Sequence, residues 1–270
     1  MKSRRPYAAF TLLELLTVIA IIGILAALVA PVLSQFRKGD VVAAATNQLQ
    51  GDVARARQLA MSTRSTVYMV FVPTNFWGAN PTTFINSLAN PAQRTAATNL
   101  CDKQLTGYTF VSLRTVGDQP GRNIPHYLGP WRTLPAGTFI AMQKFSEPAN
   151  QYFIITDPVS GRKFPVYGFS TNAIPFPTEN GPGAAVPCIA FNYLGQLSSA
   201  TGQPLGRDDY IPLAQGSVLP AIDPATRALQ LSSIPAIVSE APPGNSTNNY
   251  NLIHIDWLTG RARLEHREVQ

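Results

Sequence analysis

From Phe10 to Leu33 the chain reads FTLLELLTVIAIIGILAALVAPVL, an apolar run with one carboxylate, Glu14, near its start and the basic segment MKSRRPYAA in front of it. At about 1.5 Å per helical residue the run reaches roughly 36 Å, enough to cross a hydrocarbon core about 30 Å thick. A carboxylate buried there costs roughly 2.5 to 3.5 kcal/mol or more. Glu14 in the first embedded turn therefore calls for a cationic partner.

The arrangement resembles the type IV prepilin signal, in which a short basic leader ends just before a Phe that begins a Thr-Leu-x-Glu stretch, here Phe10-Thr11-Leu12-Leu13-Glu14. The resemblance implies a cut by prepilin peptidase between Ala9 and Phe10, methylation of the new Phe10 amine, and a filament-assembly role for Glu14. The physics agrees: below its reference pKa of about 8 an α-amine is cationic, so Glu14 of one subunit can neutralise that of a neighbour. The family most often has Gly before the cut, whereas this chain has Ala9. Gly23 and Pro31 sit where pilin helices often have a Gly and a Pro, positions at which the helix stretches in a filament. Pro31 also removes a backbone donor and crowds the preceding turn, so an interruption is expected near Pro31 and Gly39. An ordinary secretory signal fits less well, because the leader lacks a small-x-small cleavage site and the apolar core is too long.

Lys2, Arg4 and Arg5 precede the run and Arg37 and Lys38 follow it, with Asp40 close by. The slight excess on the leader side places the N-terminus in the cytoplasm and the remainder in the periplasm, the protein residing in the inner membrane before it joins a pilus or pseudopilus. The organisation expected is a leader at 1–9, a transmembrane and filament-core helix at 10–36, and a globular domain at 37–270. The net charge of +6 falls to +3 once the three leader cations are removed, which neither demands nor excludes a nucleic-acid partner.

Val42, Ala45, Leu49, Val53, Ala56 and Ala60 recur at three- and four-residue steps, predicting an amphipathic helix over about 41–62 that lies on a core. Gly51 weakens it by about 1 kcal/mol relative to Ala. Segments rich in β-branched and aromatic residues then predict strands at 66–72, 108–116, 138–145, 151–156, 188–194, 236–240 and 250–258. No βα alternation follows, so the fold class is α+β, the long N-terminal helix packed on an antiparallel sheet domain. The Pro-, Gly- and Asn-rich stretches 73–99, 170–187 and 198–234 read as long surface insertions.

Within the pilins, Leu49-Gln50-Gly51-Asp52-Val53-Ala54-Arg55-Ala56-Arg57-Gln58-Leu59-Ala60, followed at once by a strand, is similar to the helix-to-strand passage of GspH/FimT-type minor pilins. Ile189 to Gln196 resembles their later strand and Gly turn, and Thr259-Gly260-Arg261-Ala262-Arg263 their Gly-Arg-x-Arg ending. The resemblance implies a minor pilin or pseudopilin of a type IV pilus or type II secretion system. Its partners would be prepilin peptidase, other pilins, and an inner-membrane platform with its ATPase. In FimT-type pilins that ending is linked with DNA capture, which would carry to Arg261 and Arg263. Two residues apart on an extended chain, both guanidinium groups face one side, with Arg267 able to extend the patch and Glu265 and Glu268 reducing its charge. The alternative is a solubilising strand end.

Cys101 and Cys188 are the only cysteines; they could form one bridge in an oxidising periplasm or stand as two buried thiols. His126, His254 and His266 show no zinc-site spacing or hydrolase motif, and His254 alternates with Ile253 and Ile255 as a packed strand residue would. Asp208-Asp209 reads as a solvated loop pair before a calcium ligand. With no phosphate loop or dinucleotide fingerprint, neither an enzyme nor a cofactor is expected.

Overall fold

The computed structural model describes residues 12–74, 81–114, 118, 124–157, 160–222, 225–227, 236–248 and 251–265, the side chains of 13, 26–40, 81–83 and 248 excepted. It is α+β, with an N-terminal helix and antiparallel sheets. The chain divides into two compact units, Met1–Val41 and Val42–Gln270.

Helix α1 (Leu12–Thr63) runs through Gly23, Pro31, Gly39 and Gly51. The expected interruption near Pro31 and Gly39 is therefore not an end of the helix in the single chain. A proline deletes one N–H and crowds one turn, which a helix can absorb while neighbouring backbone bonds persist. In the second unit the expected face is the buried one: Val42, Ala45, Leu49, Val53, Ala56 and Ala60 are all buried.

After α1 come β1 (Val67–Phe71), α2 (Pro81–Ser87), α3 (Pro91–Leu100), β2 (Gly107–Ser112), β3 (His126–Tyr127), β4 (Arg132–Thr133), β5 (Thr138–Ile140), α4 (Gln143–Ser146), β6 (Tyr152–Thr156) and β7 (Lys163–Tyr167). β8 (Ser170–Pro175), β9 (Gly183–Phe191), β10 (Leu197–Ser198), β11 (Asp209–Leu219), β12 (Ile237–Glu240), α5 (Asn245–Asn248), β13 (Asn251–Ile255) and β14 (Ala262–Glu265) complete it. Among the described residues the first sheet follows the order β10-β9-β1-β2-β3, with β4 on β2 and β8 on β9. The second follows β12-β11-β13-β14 with β5 on β11, and β6-β7 is a separate hairpin. Every pairing among the described residues is antiparallel.

β1 is buried on both faces, which fixes the layering. Its odd-numbered side chains Val67, Met69 and Phe71 join the α1 face, Tyr108, Phe110 and Phe191, together with Ile211, Ile253 and Ile255 of the second sheet. Its even-numbered side chains Tyr68 and Val70 point the other way and pack with Ile85, Leu88, Ala97 and Leu100 of the α2–α3 region. Period-two alternation thus assigns each side chain to one of two cores.

Several expectations are corrected. The stretch 73–99 carries α2 and most of α3, tied down by Ile85, Leu88 and Ala97. The stretch 170–187 carries β8 and the start of β9, and 198–234 carries β11, the strand at the centre of the second sheet. Only the first half of 138–145 is a strand; α4 follows, its Lys144 drawn inward. The strand expected over 188–194 stops at Phe191, where the Asn192 side chain accepts from the N–H groups of Leu194 and Gln196, both at 3.0 Å. That local competition closes a turn and ends the ladder. Likewise, among the described residues of 108–116, the strand ends at Ser112, whose hydroxyl donates to the carbonyl of Arg114.

Candidate functional site

Ala9 and Phe10, the expected cleavage and methylation positions, lie outside the described residues, as does the side chain of Pro31. Glu14 and Gly23 lie on α1 in the first unit. Glu14 is exposed, and its backbone carbonyl accepts from Thr17 Oγ1 at 2.9 Å. Around it Leu15, Leu16, Val18, Ile19, Ile21, Ile22, Ile24 and Leu25 are all at least 43% exposed. At 100° per residue these positions cover the whole circumference. A helix apolar all round is stable only when lipid or other helices surround it. Among the described residues no helix is long and apolar enough to cross a membrane. The described apolar side chains end at Leu25, short of the roughly 20 that a span needs; the rest of the expected 10–36 segment lies outside them.

At the other end of the chain, β13 and β14 form a hairpin whose register sets His254 opposite Arg263 and Leu252 opposite Glu265. Arg261 is exposed and precedes β14. The Arg263 side chain, 66% exposed, donates from Nε to Glu265 Oε1 and to His254 Nδ1, both at 2.9 Å. His254 Nε2 lies 2.9 Å from Asp208 Oδ2, and its ring stacks on Tyr210 with centroids 4.7 Å apart. Arg261 and Arg263 are thus close in the chain but differ in state: a carboxylate already engages Arg263. Arg267 lies outside the described residues, as does His266. His126 is on β3, 4.0 Å from Glu179.

The two short motifs read near the C-terminus meet in space. Gly260 has φ +62°, and a Cβ there would stand 2.0 Å from the carbonyl oxygen of Gly195. Gly195 has φ +78°, with Arg57 and Met61 of α1 just beyond it. Leu197 N–H donates to the Trp257 carbonyl at 2.9 Å and locks the turns together. Only glycine allows that backbone approach with φ positive.

Cys101 and Cys188 are free, buried thiols in the same core cluster. Burial pushes the Cys101 thiol up to about 11 and the Cys188 thiol up to about 12, leaving both almost wholly protonated near neutral pH. Asp208 and Asp209 are not a solvated pair. Asp208 holds His254 and accepts from the backbone N–H of Trp257, while Asp209 is buried against Lys144. Among the described residues no group of three His, Cys, Asp or Glu is placed to hold a metal ion.

Two buried polar networks went unread in the sequence. In one, the Tyr108 hydroxyl donates to Asp52 Oδ2 at 2.5 Å and accepts from Gln48 Nε2 at 2.7 Å, while Arg132 Nη1 donates to Asp52 Oδ1 at 2.8 Å. Burial first, and then the hydrogen bond to Asp52, push the Tyr108 phenol above its ordinary range. The other is the Lys144–Asp209 pair. Polar residues at interior helix positions, such as Asp52 between Gly51 and Val53, were the one available signal.

Residues 4–30 match the family model described as the prokaryotic N-terminal methylation motif, the signature of type IV pilins and prepilins. The match ends before the globular unit begins. No curated protein and no solved structure matches the chain. The motif is that of type IV pilin-like and pseudopilin proteins and implies processing by a prepilin peptidase and assembly with other pilins.

Proposed function

We propose that this chain is a minor pilin or pseudopilin of the GspH/FimT type, cleaved between Ala9 and Phe10, methylated on Phe10, and built into a type IV pilus or secretion pseudopilus. The observation that carries the reading is the methylation motif at 4–30, together with the start of α1, where the described apolar side chains up to Leu25 are exposed on every side. On this reading the 10–36 segment stores the subunit in the inner membrane, leader in the cytoplasm and globular domain in the periplasm. An ATPase-driven platform then extracts it. Burial of that segment among neighbouring helices supplies affinity, Glu14 supplies register by neutralising a neighbour's Phe10 amine, and filament packing stretches the helix at Gly23 and Pro31. The protein works by assembly, turning over no substrate and using no cofactor.

A role in DNA uptake draws on Arg261 and Arg263, but Glu265 already takes the Arg263 guanidinium. A two-arginine phosphate clamp would have to displace that carboxylate, and the assembly role does not depend on it. The test is Glu14→Ala in cells that build the filament, read by crosslinking to neighbouring pilins. Membrane insertion should persist while incorporation falls; unchanged crosslinking of the variant would contradict the proposal.

A further inference from the structure

Lys144 is an expensive residue to place where it is. Its side chain is 0% exposed, on the short helix α4, and the assembly role does not use it. Nζ donates to Asp209 Oδ1 at 2.5 Å and to the Tyr167 carbonyl at 2.8 Å, and lies 4.8 Å from the centroid of the Phe169 ring. Asp209 opens β11, and its side chain is 11% exposed. The backbone N–H of Tyr210 donates to the same Oδ1 at 2.9 Å. A cavity of about 20 Å³, room for one water molecule, is lined by Asp209, Arg207, Tyr167, Ser170 and Ser198. The Ser198 hydroxyl has no partner among the described residues.

Together these features set a buried amine against a carboxylate, with a backbone donor on the oxygen that would carry the oxyanion and a small cavity bordered by Asp209 for the departing water. We propose that Lys144 and Asp209 condense into an isopeptide link between α4 and β11. The ammonium first passes a proton to the carboxylate, which carries it on Oδ2, giving an amine and a carboxylic acid. The Nζ lone pair attacks Cγ, the Nζ–Cγ bond forms, and negative charge builds on Oδ1, where the Tyr210 N–H receives it. A second Nζ proton passes to Oδ2, the Cγ–Oδ2 bond breaks, and one water leaves into the cavity. Nothing is oxidised or reduced, and no co-reactant is needed.

Desolvation, the largest influence, draws the proton off Lys144 and the Arg207 charge adds to that; Asp209 opposes them. Arg207 is held in place by the Ala149 carbonyl at 2.5 Å and by the Tyr167 ring, 3.8 Å from its centroid. The product would close a loop between positions 65 apart and restrict the unfolded chain as a disulfide does. Because Cys101 and Cys188 are unbridged, it would be a covalent brace the cysteines do not supply.

The experiment is intact-mass measurement of the full chain from producing cells, followed by tryptic mapping. The expected chain is one water lighter than its processed sequence, is not cut after Lys144, and yields a joined peptide pairing 133–162 with 208–227. Lys144→Arg, unable to form the link whether or not it folds, fixes the unlinked mass. A full-mass wild-type chain, or free peptides ending at Lys144, would overturn the proposal; so would a one-water deficit mapping elsewhere.

Discussion

Tyr108→Phe tests whether the Asp52 network, and not apolar packing alone, fastens α1 to the sheet. The ring stays and only the hydroxyl goes, so Phe110 and Phe71 keep their aromatic neighbour. Asp52, 4% exposed, loses its 2.5 Å donor, and Gln48 loses the acceptor at 2.7 Å. A hydrogen bond to a charged group is worth about 1.5–3 kcal/mol, so the variant should lose about 2 kcal/mol. Asp52→Ala also breaks the bond to Arg132. Severing a fully buried pair costs about 3–5 kcal/mol, but the Arg132 side chain is 37% exposed and regains water, so about 2–3 kcal/mol is expected. Because the two residues share one bond, the double variant should cost less than the sum by about 1–2 kcal/mol. The assay is urea and thermal unfolding of the 37–270 fragment, where 1 kcal/mol moves Tm by about 2–4 °C. Strict additivity, or Tyr108→Phe within about 0.5 kcal/mol of the parent, would refute the reasoning.

Gly260→Ala should destabilise the same fragment by more than about 1 kcal/mol, since φ is positive and the new Cβ meets the Gly195 carbonyl; unchanged urea unfolding would contradict that contact. Alkaline pH should weaken the fold in a defined direction. Cys101 and Cys188 ionise at about 11 and 12 folded, against 9.0 ordinarily, so the unfolded chain loses these protons first. Their contribution is intact below pH 9 and is lost as pH rises through the folded values; Cys188→Ala should flatten the decline in a pH series of urea midpoints. The fragment titrated with duplex DNA near physiological salt should show no binding that depends on Arg261 and Arg263. Salt-sensitive affinity abolished by replacing both with Ala would restore the DNA-uptake reading.

The 3.6-residue periodicity from Val42 to Ala60 sufficed to identify the buried face of α1, because helix burial is decided by neighbours three and four positions away. β1, β6, β12 and β13 were legible for a similar local reason. β11 was not: Pro212 lacks a ladder donor and Gly216 lacks a side chain, local signals that argue against a central strand. Pairing with β5, β12 and β13 outweighs them. The same holds for the site. Glu14 is conspicuous because the sequence around it is uniformly apolar. The Asp52 and Lys144 networks depend on partners 56 and 65 positions away, which no local pattern announces. Arg261 and Arg263 were visible as a pair, but Glu265, two residues on along β14, proved to be a direct partner of Arg263 rather than background charge.

Mass spectrometry of the N-terminal peptide, taken from the chain as it stands in assembled filaments, tests the assembly reading most directly. A peptide beginning at Phe10 and carrying a methyl group on its amine is the expected result. A chain in filaments that still carries residues 1–9, or one cut at another bond, would contradict it.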